Sequence, residues 1–148
     1  MDVSEQEAKL KLRLAQLEKH ERCQEDFLIF VKNMWPDFIA GRHHKIIAEK
    51  LERVARGELK RLIINMAPRH TKSEFASFLF PAWMMGKNPK MKIIQATHTT
   101  ELAVNFGRKT KNLIDSDDYK DIFPSVNLSA DSKASGRWDT TSGGMYYA

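Results

Sequence analysis

Leu62-Ile63-Ile64-Asn65-Met66-Ala67-Pro68-Arg69-His70-Thr71-Lys72-Ser73 is the stretch on which the reading of this chain turns. Three consecutive branched apolar residues run into a tight loop, and the loop ends in Lys-Ser where a helical pattern begins. That order suits a phosphate-binding loop. Backbone N–H groups at the start of a helix face an anion, and the helix dipole favours negative charge there. In such loops a lysine reaches the β- and γ-phosphates and the next hydroxyl sits on Mg²⁺. Against the pattern G-x-x-x-x-G-K-[ST], Met66 and Thr71 stand in the glycine positions. The bland counter-reading is a strand-to-helix turn carrying a solvated lysine.

Downstream of the loop the pattern alternates. Leu59 to Asn65 reads as a strand buried on both faces. Lys72 to about Met85 reads as a helix, with Phe75, Phe78, Leu79 and Trp83 inward and Pro81 set to kink or shorten it. Gly86-Lys87-Asn88-Pro89 is a turn, and Met91 to Ala96 a second strand. Thr97-His98-Thr99-Thr100 caps a helix running through Leu102, Val104, Phe106 and Leu113. Strand, helix, strand, helix predicts βαβ units, a parallel sheet and right-handed crossovers. Beyond Pro124, Arg137-Trp138-Asp139 and Met145-Tyr146-Tyr147 form the arms of a hairpin around Ser142-Gly143-Gly144.

Upstream, residues 1–57 read as helical. Ser4 and Glu7 fit a capping box, and Leu10, Leu14 and Leu17 follow as a narrow stripe among charges, an arm more than a core element. A dense apolar cluster, Phe27, Leu28, Phe30, Val31, Met34 and Trp35, follows Asp26 and stops at Pro36. Gly41-Arg42 leads into a third helix, with Ile46, Ile47, Leu51 and Val54 on one face and Gly57 at its close.

Composition bounds the function. The 148 residues amount to one domain or most of one, long enough for a real core. No apolar run approaches the ~20 residues of a membrane span, and no signal-peptide pattern opens the chain. Cys23 is the only cysteine, which excludes an internal disulfide and predicts a reducing compartment. The formal charge of +5 permits an anionic partner such as DNA without demonstrating one.

The run Pro68-Arg69-His70-Thr71-Lys72-Ser73-Glu74 resembles the P-R-H-G-K-S-x form of the Walker A loop in large terminase subunits of tailed bacteriophages. The segment Gly57 to Asn65, Phe80-Pro81-Ala82-Trp83, Ile94 to His98, Phe106-Gly107-Arg108, Trp138 and Gly143-Gly144 resemble that family in the same order, over roughly Phe27 to Ala148. The resemblance implies an α/β P-loop ATPase of the RecA-like additional-strand class. Residues 58–148 would be an incomplete core behind the N-terminal helices. ATP and Mg²⁺ would be its cofactors. Its partners would be double-stranded DNA, the capsid portal and the small terminase subunit, in the cytoplasm of an infected bacterial host.

Carried onto this chain, the resemblance gives a nucleotide site of Pro68, Arg69, His70, Thr71, Lys72 and Ser73. Lys72 would be the phosphate clamp and Ser73 the Mg²⁺ hydroxyl. Arg69 would sense the γ-phosphate from within the loop. His44, or neighbouring His43 or Arg42, would stack on adenine. Two departures stand against it. At Thr71 a β-branched residue replaces glycine, which costs roughly 1–2 kcal/mol if φ is positive there. No apolar run ending in acidic residues follows Ser73, so neither a Walker B strand nor nuclease acids are present. The expectation is therefore an N-terminal portion of such a subunit, with weak nucleotide binding and negligible turnover. The alternatives are a helicase-type translocase, a small-molecule kinase (against which Thr71 counts), or a non-catalytic phage module using a degenerate loop as scaffold.

Overall fold

Helix dominates the chain, and the sheet is an annex of three short strands. The computed structural model describes residues 3–131 and 134–148. Helix α1 spans Val3–Glu25, α2 Phe27–Met34 and α3 Arg42–Ala55. A helix then starts at Lys72. It passes through a π-helical stretch, Glu74–Leu79, into α4, Phe80–Lys87. Strand β1 is Lys92–Ile94, α5 is Thr100–Asp115, α6 is Asp117–Ile122, β2 is Arg137–Asp139 and β3 is Met145–Tyr147.

The helix ends follow from local chemistry. Asp26 caps α2 by accepting the Ile29 N–H at 2.8 Å, Thr99 caps α5 through the Leu102 N–H, and Ser116 caps α6 through that of Tyr119. Trp35-Pro36 closes α2 as expected, since proline disfavours helical geometry in the residue before it. At the end of α3, Gly57 takes φ +76, the Gly57 N–H reaches Val54 O and the Glu58 N–H reaches Arg53 O. This is the paired-bond C-terminal motif that a left-handed glycine permits. Ser4 already lies inside α1, so it is not the cap that its spacing with Glu7 suggests.

Pro81 does not break its helix. The turns ahead of it are wound wider, with the Phe80 N–H bonding Phe75 O, five residues back. That one-residue expansion gives room for a ring that would otherwise press on the carbonyl four residues before it. Phe75, Leu79, Ala82 and Trp83 all remain buried.

One apolar cluster serves the whole fold. It joins Cys23, Phe27, Phe30 and Val31 to Phe75, Trp83 and Met85, and on to Tyr119, Ile122, Phe123, Trp138 and Tyr146. Phe27 sits at the aromatic centre, 5.4–5.6 Å from the rings of Phe75, Phe80 and Trp83. The Trp83 indole N–H donates to Cys23 O at 2.9 Å, tying the last turn of α1 to α4. Ser4 to Lys19, by contrast, are exposed. No helix among the described residues is long and apolar enough to cross a membrane.

The fold departs from the class expected from the sequence. A parallel sheet flanked by helices, the mark of a RecA-like core, does not form. The sheet runs β1-β3-β2, with β3 parallel to β1 and antiparallel to β2. The hairpin arm Met145–Tyr147 therefore takes the place beside β1 that a crossover strand was expected to hold. Leu59 to Asn65 is not a strand. Leu62 and Ile64 turn inward and Ile63 outward, 84% exposed. Among the described residues the backbone of Leu62–Asn65 makes no hydrogen bond. Apolar residues made this segment extended, but a strand also needs a neighbour.

Gly107 and Gly144 place the hairpin. A side chain at Gly107 would meet Ser135 O at 2.5 Å, and one at Gly144 would meet Pro89 O at 2.3 Å. Trp138 stacks flat on Tyr146, with centroids 4.9 Å apart, and its N–H donates to Gly107 O.

Candidate anion-binding loop

Between the unpaired segment and the helix at Lys72, the backbone alternates in hand. Arg69 has φ +63 and Thr71 φ +60, while His70 between them is not in the left-handed region. Left-handed residues alternating with others in a tight turn are the kind of backbone from which anion-binding concavities are built. Pro68 to Glu74 line a depression of about 340 Å³ on that stretch. The Phe75 N–H bonds Thr71 O at 3.0 Å, so the helix takes over directly from the loop. Its first N–H groups lack intrahelical partners, as at any helix start.

The side chains are arranged unequally. Lys72 Nζ donates to Met66 O at 3.2 Å, spanning the loop from its end to its beginning. Ser73 is exposed at the first helical turn. Arg69 is exposed as well. His70 Nδ1 lies 2.9 Å from Pro68 O, bracing the turn from within. Glu74, the one carboxylate lining the depression, is paired with Lys109 of α5 at 2.9 Å.

His44 does something the sequence reading did not foresee. It is buried, 7% exposed, on the first turn of α3. Its Nδ1 accepts the Gly41 N–H at 2.9 Å. Its Nε2 lies 2.5 Å from Thr71 Oγ1, and that hydroxyl donates to His70 O at 2.6 Å. Phe38 and Phe75 pack on the imidazole at 4.7 and 5.2 Å, and His43 lies 3.8 Å away. Burial, and then the neighbouring His43 and His70, hold the His44 pKa below its ordinary value. Both ring nitrogens are thus committed to the protein. The signal in the sequence was the threonine in a glycine position, but the partner stands 27 residues upstream and no periodicity links the two.

A second depression, about 280 Å³, adjoins the loop through His43 and Met66. Ile46, Ile47, Leu62, Ile63 and Ile64 make it apolar, and Lys50 is on its rim. Trp138 and Tyr146 are buried in the core, and Tyr147 is half exposed.

Among the described residues no group of three His, Cys, Asp or Glu side chains is placed to hold an ion. A Mg²⁺ ion carried in on nucleotide phosphates is a different matter, since such ions keep several waters and take only one or two protein ligands. The Ser73 hydroxyl fits that requirement.

No protein-family profile matches this chain, and neither a curated protein nor a solved structure matches it.

Proposed function

We propose that Pro68–Ser73 binds the β- and γ-phosphates of a nucleoside triphosphate, as the ATP-holding part of a packaging-motor ATPase of the terminase kind. What supports this reading is the loop and not the sheet. The single observation that carries it is the alternating backbone at Arg69 and Thr71, set immediately ahead of a helix that begins with Lys72 and Ser73. The loop N–H groups would take the phosphate oxygens. Lys72 would leave Met66 O for the anion, exchanging a neutral acceptor for a charged one, which strengthens the bond. Ser73 would give its hydroxyl to Mg²⁺, whose charge offsets that of the phosphates. Arg69, exposed on the loop, would reach toward the terminal phosphate. The apolar depression beside His43 would accept the base.

Turnover would be negligible. Phosphoryl transfer depends on positioning and charge stabilisation, and Glu74, the one carboxylate at the loop, is held by Lys109. In the assembled motor, double-stranded DNA, the portal and the small subunit would be the partners.

Binding of a Mg²⁺–ATP analogue to the chain and to Lys72→Ala tests the proposal. Removing a charge-assisted phosphate contact should cost about 2–3 kcal/mol. Equal affinity in both would remove Lys72 from the site. It would favour the alternative of a binding module whose loop is scaffold, a reading that the Lys72–Met66 bond in this structure suits.

A further inference from the structure

Thr71 occupies a conformation that its side chain opposes. A β-branched residue at φ +60 is strained, and its one backbone bond, from the Phe75 N–H to its carbonyl, belongs to the helix that follows and not to the left-handed turn before it. We infer that His44 is the positioning residue of the loop: its bond to Thr71 Oγ1 does for this chain what a glycine would do without help. The inference rests on the phosphate-loop reading for its functional meaning, but the latch itself is a matter of geometry.

The geometry fixes the direction of every proton. Gly41 N–H is a donor, so Nδ1 of His44 is the acceptor and the ring proton of neutral His44 is on Nε2. Nε2–H then donates to Thr71 Oγ1, leaving that hydroxyl's own proton for His70 O. The relay Gly41, His44, Thr71, His70 closes only with this tautomer of a neutral imidazole. It anchors both the first turn of α3 and the left-handed turn of the loop to one buried ring. Around that ring, Phe38 and Phe75 are apolar, and the titratable groups acting on it are His43 on the same helix and His70 on the loop. A glycine at position 71 would need none of this, because it has neither the strain nor the hydroxyl.

A double-mutant cycle separates the latch from simple core packing. His44→Ala, and Thr71→Val, which keeps the branch but removes the hydroxyl, should each weaken Mg²⁺–ATP-analogue binding on the order of five- to tenfold. In a Thr71→Gly background the His44→Ala step should cost less than about twofold, since the loop no longer depends on the ring. Equal losses in both backgrounds would overturn the proposal and leave His44 as packing alone. Nitrogen NMR of the imidazole gives a readout that needs no nucleotide. It should show His44 protonated on Nε2 with Nδ1 accepting, and the Nε2 signal should move in Thr71→Val. An Nδ1-protonated ring would overturn the latch. Should no variant bind nucleotide while the tautomer and the Thr71→Val shift hold, the phosphate reading fails and the latch stands.

Discussion

Leu62–Asn65 and Lys92–Ile94 are peptides of the same kind, short, rich in isoleucine and preceded by basic residues, yet only the second is a strand. The Gln95 N–H donates to Tyr147 O at 2.8 Å and the Met145 N–H to Met91 O at 3.0 Å, so β1 is stitched to β3. The first segment alternates in exposure as a strand does, yet among the described residues its backbone bonds to nothing. Even their exposed residues match, Ile63 at 84% and Ile94 at 78%. What differs is a neighbour delivered by the chain. Extension is a property of the residues; pairing is a property of the fold.

The comparison breaks most violently at the hairpin. Trp138→Ala removes a fully buried ring stacked on Tyr146 and should cost about 3–5 kcal/mol. Because β3 is the neighbour of β1, the loss should also strip β1 of its pairing, leaving two unpaired segments where there was one. Chemical denaturation gives the first number. Retained protection at Gln95 in the variant would show that β1 stands without its partner.

Amide exchange sharpens the contrast in the unmodified chain. The Gln95 and Met145 amides should open near the global stability, while those of Ile63 and Ile64 should exchange almost as in a free peptide. Comparable protection in both segments would mean that Leu62–Asn65 has a partner in solution.

Acid should separate the two regions next. The far end of the unpaired segment is anchored through the loop by neutral His44, whereas among the described residues no histidine bonds to β1. The folded-state pKa of His44 lies below its ordinary value of 6.5. The unfolded chain therefore takes up the proton first. The contribution is complete above that ordinary value and is lost as pH falls through the folded pKa. Melting temperatures measured on a descending pH series should fall for the parent chain, and less for His44→Ala. Identical pH profiles would dismiss the ring as the cause.

The smallest effect is expected at Ile63→Thr. A side chain this exposed should change stability by no more than about 0.5 kcal/mol. A larger loss would show that the outward face of the segment is covered.

These two segments also mark how far the sequence could be read. The helix ends at Thr99, Gly57 and Pro36 came through because their causes are local, each acting on backbone within a few residues, whereas α6, too short for a periodic stripe, was not read. The hairpin was legible for the same reason, its arms and glycines being adjacent in the chain. The sheet was misread because three branched residues in a row announce extension and say nothing of who lies beside them. Pro81 shows a subtler failure, since the rule for proline assumes α-helical winding and the chain escapes it by widening the turn. At the loop, the start of a helix at Lys72-Ser73 was legible from the local pattern, but the hold of His44 on Thr71 spans 27 positions and two elements. No pattern in one sequence records such a contact.

Helix α1 has 23 residues and so reaches about 35 Å, most of it along residues that touch solvent. Held by tertiary contacts along its C-terminal half, where it meets α2, α4 and α6, its outer turns should obey the helix–coil statistics of a free peptide, in which helicity declines gradually with heat. The core should melt sharply. Total helicity and tryptophan fluorescence, recorded on one sample, would then give different midpoints and a van't Hoff enthalpy too small for the domain. That disagreement would arise with no folding intermediate, simply because one polypeptide carries a cooperative body and an uncooperative rod.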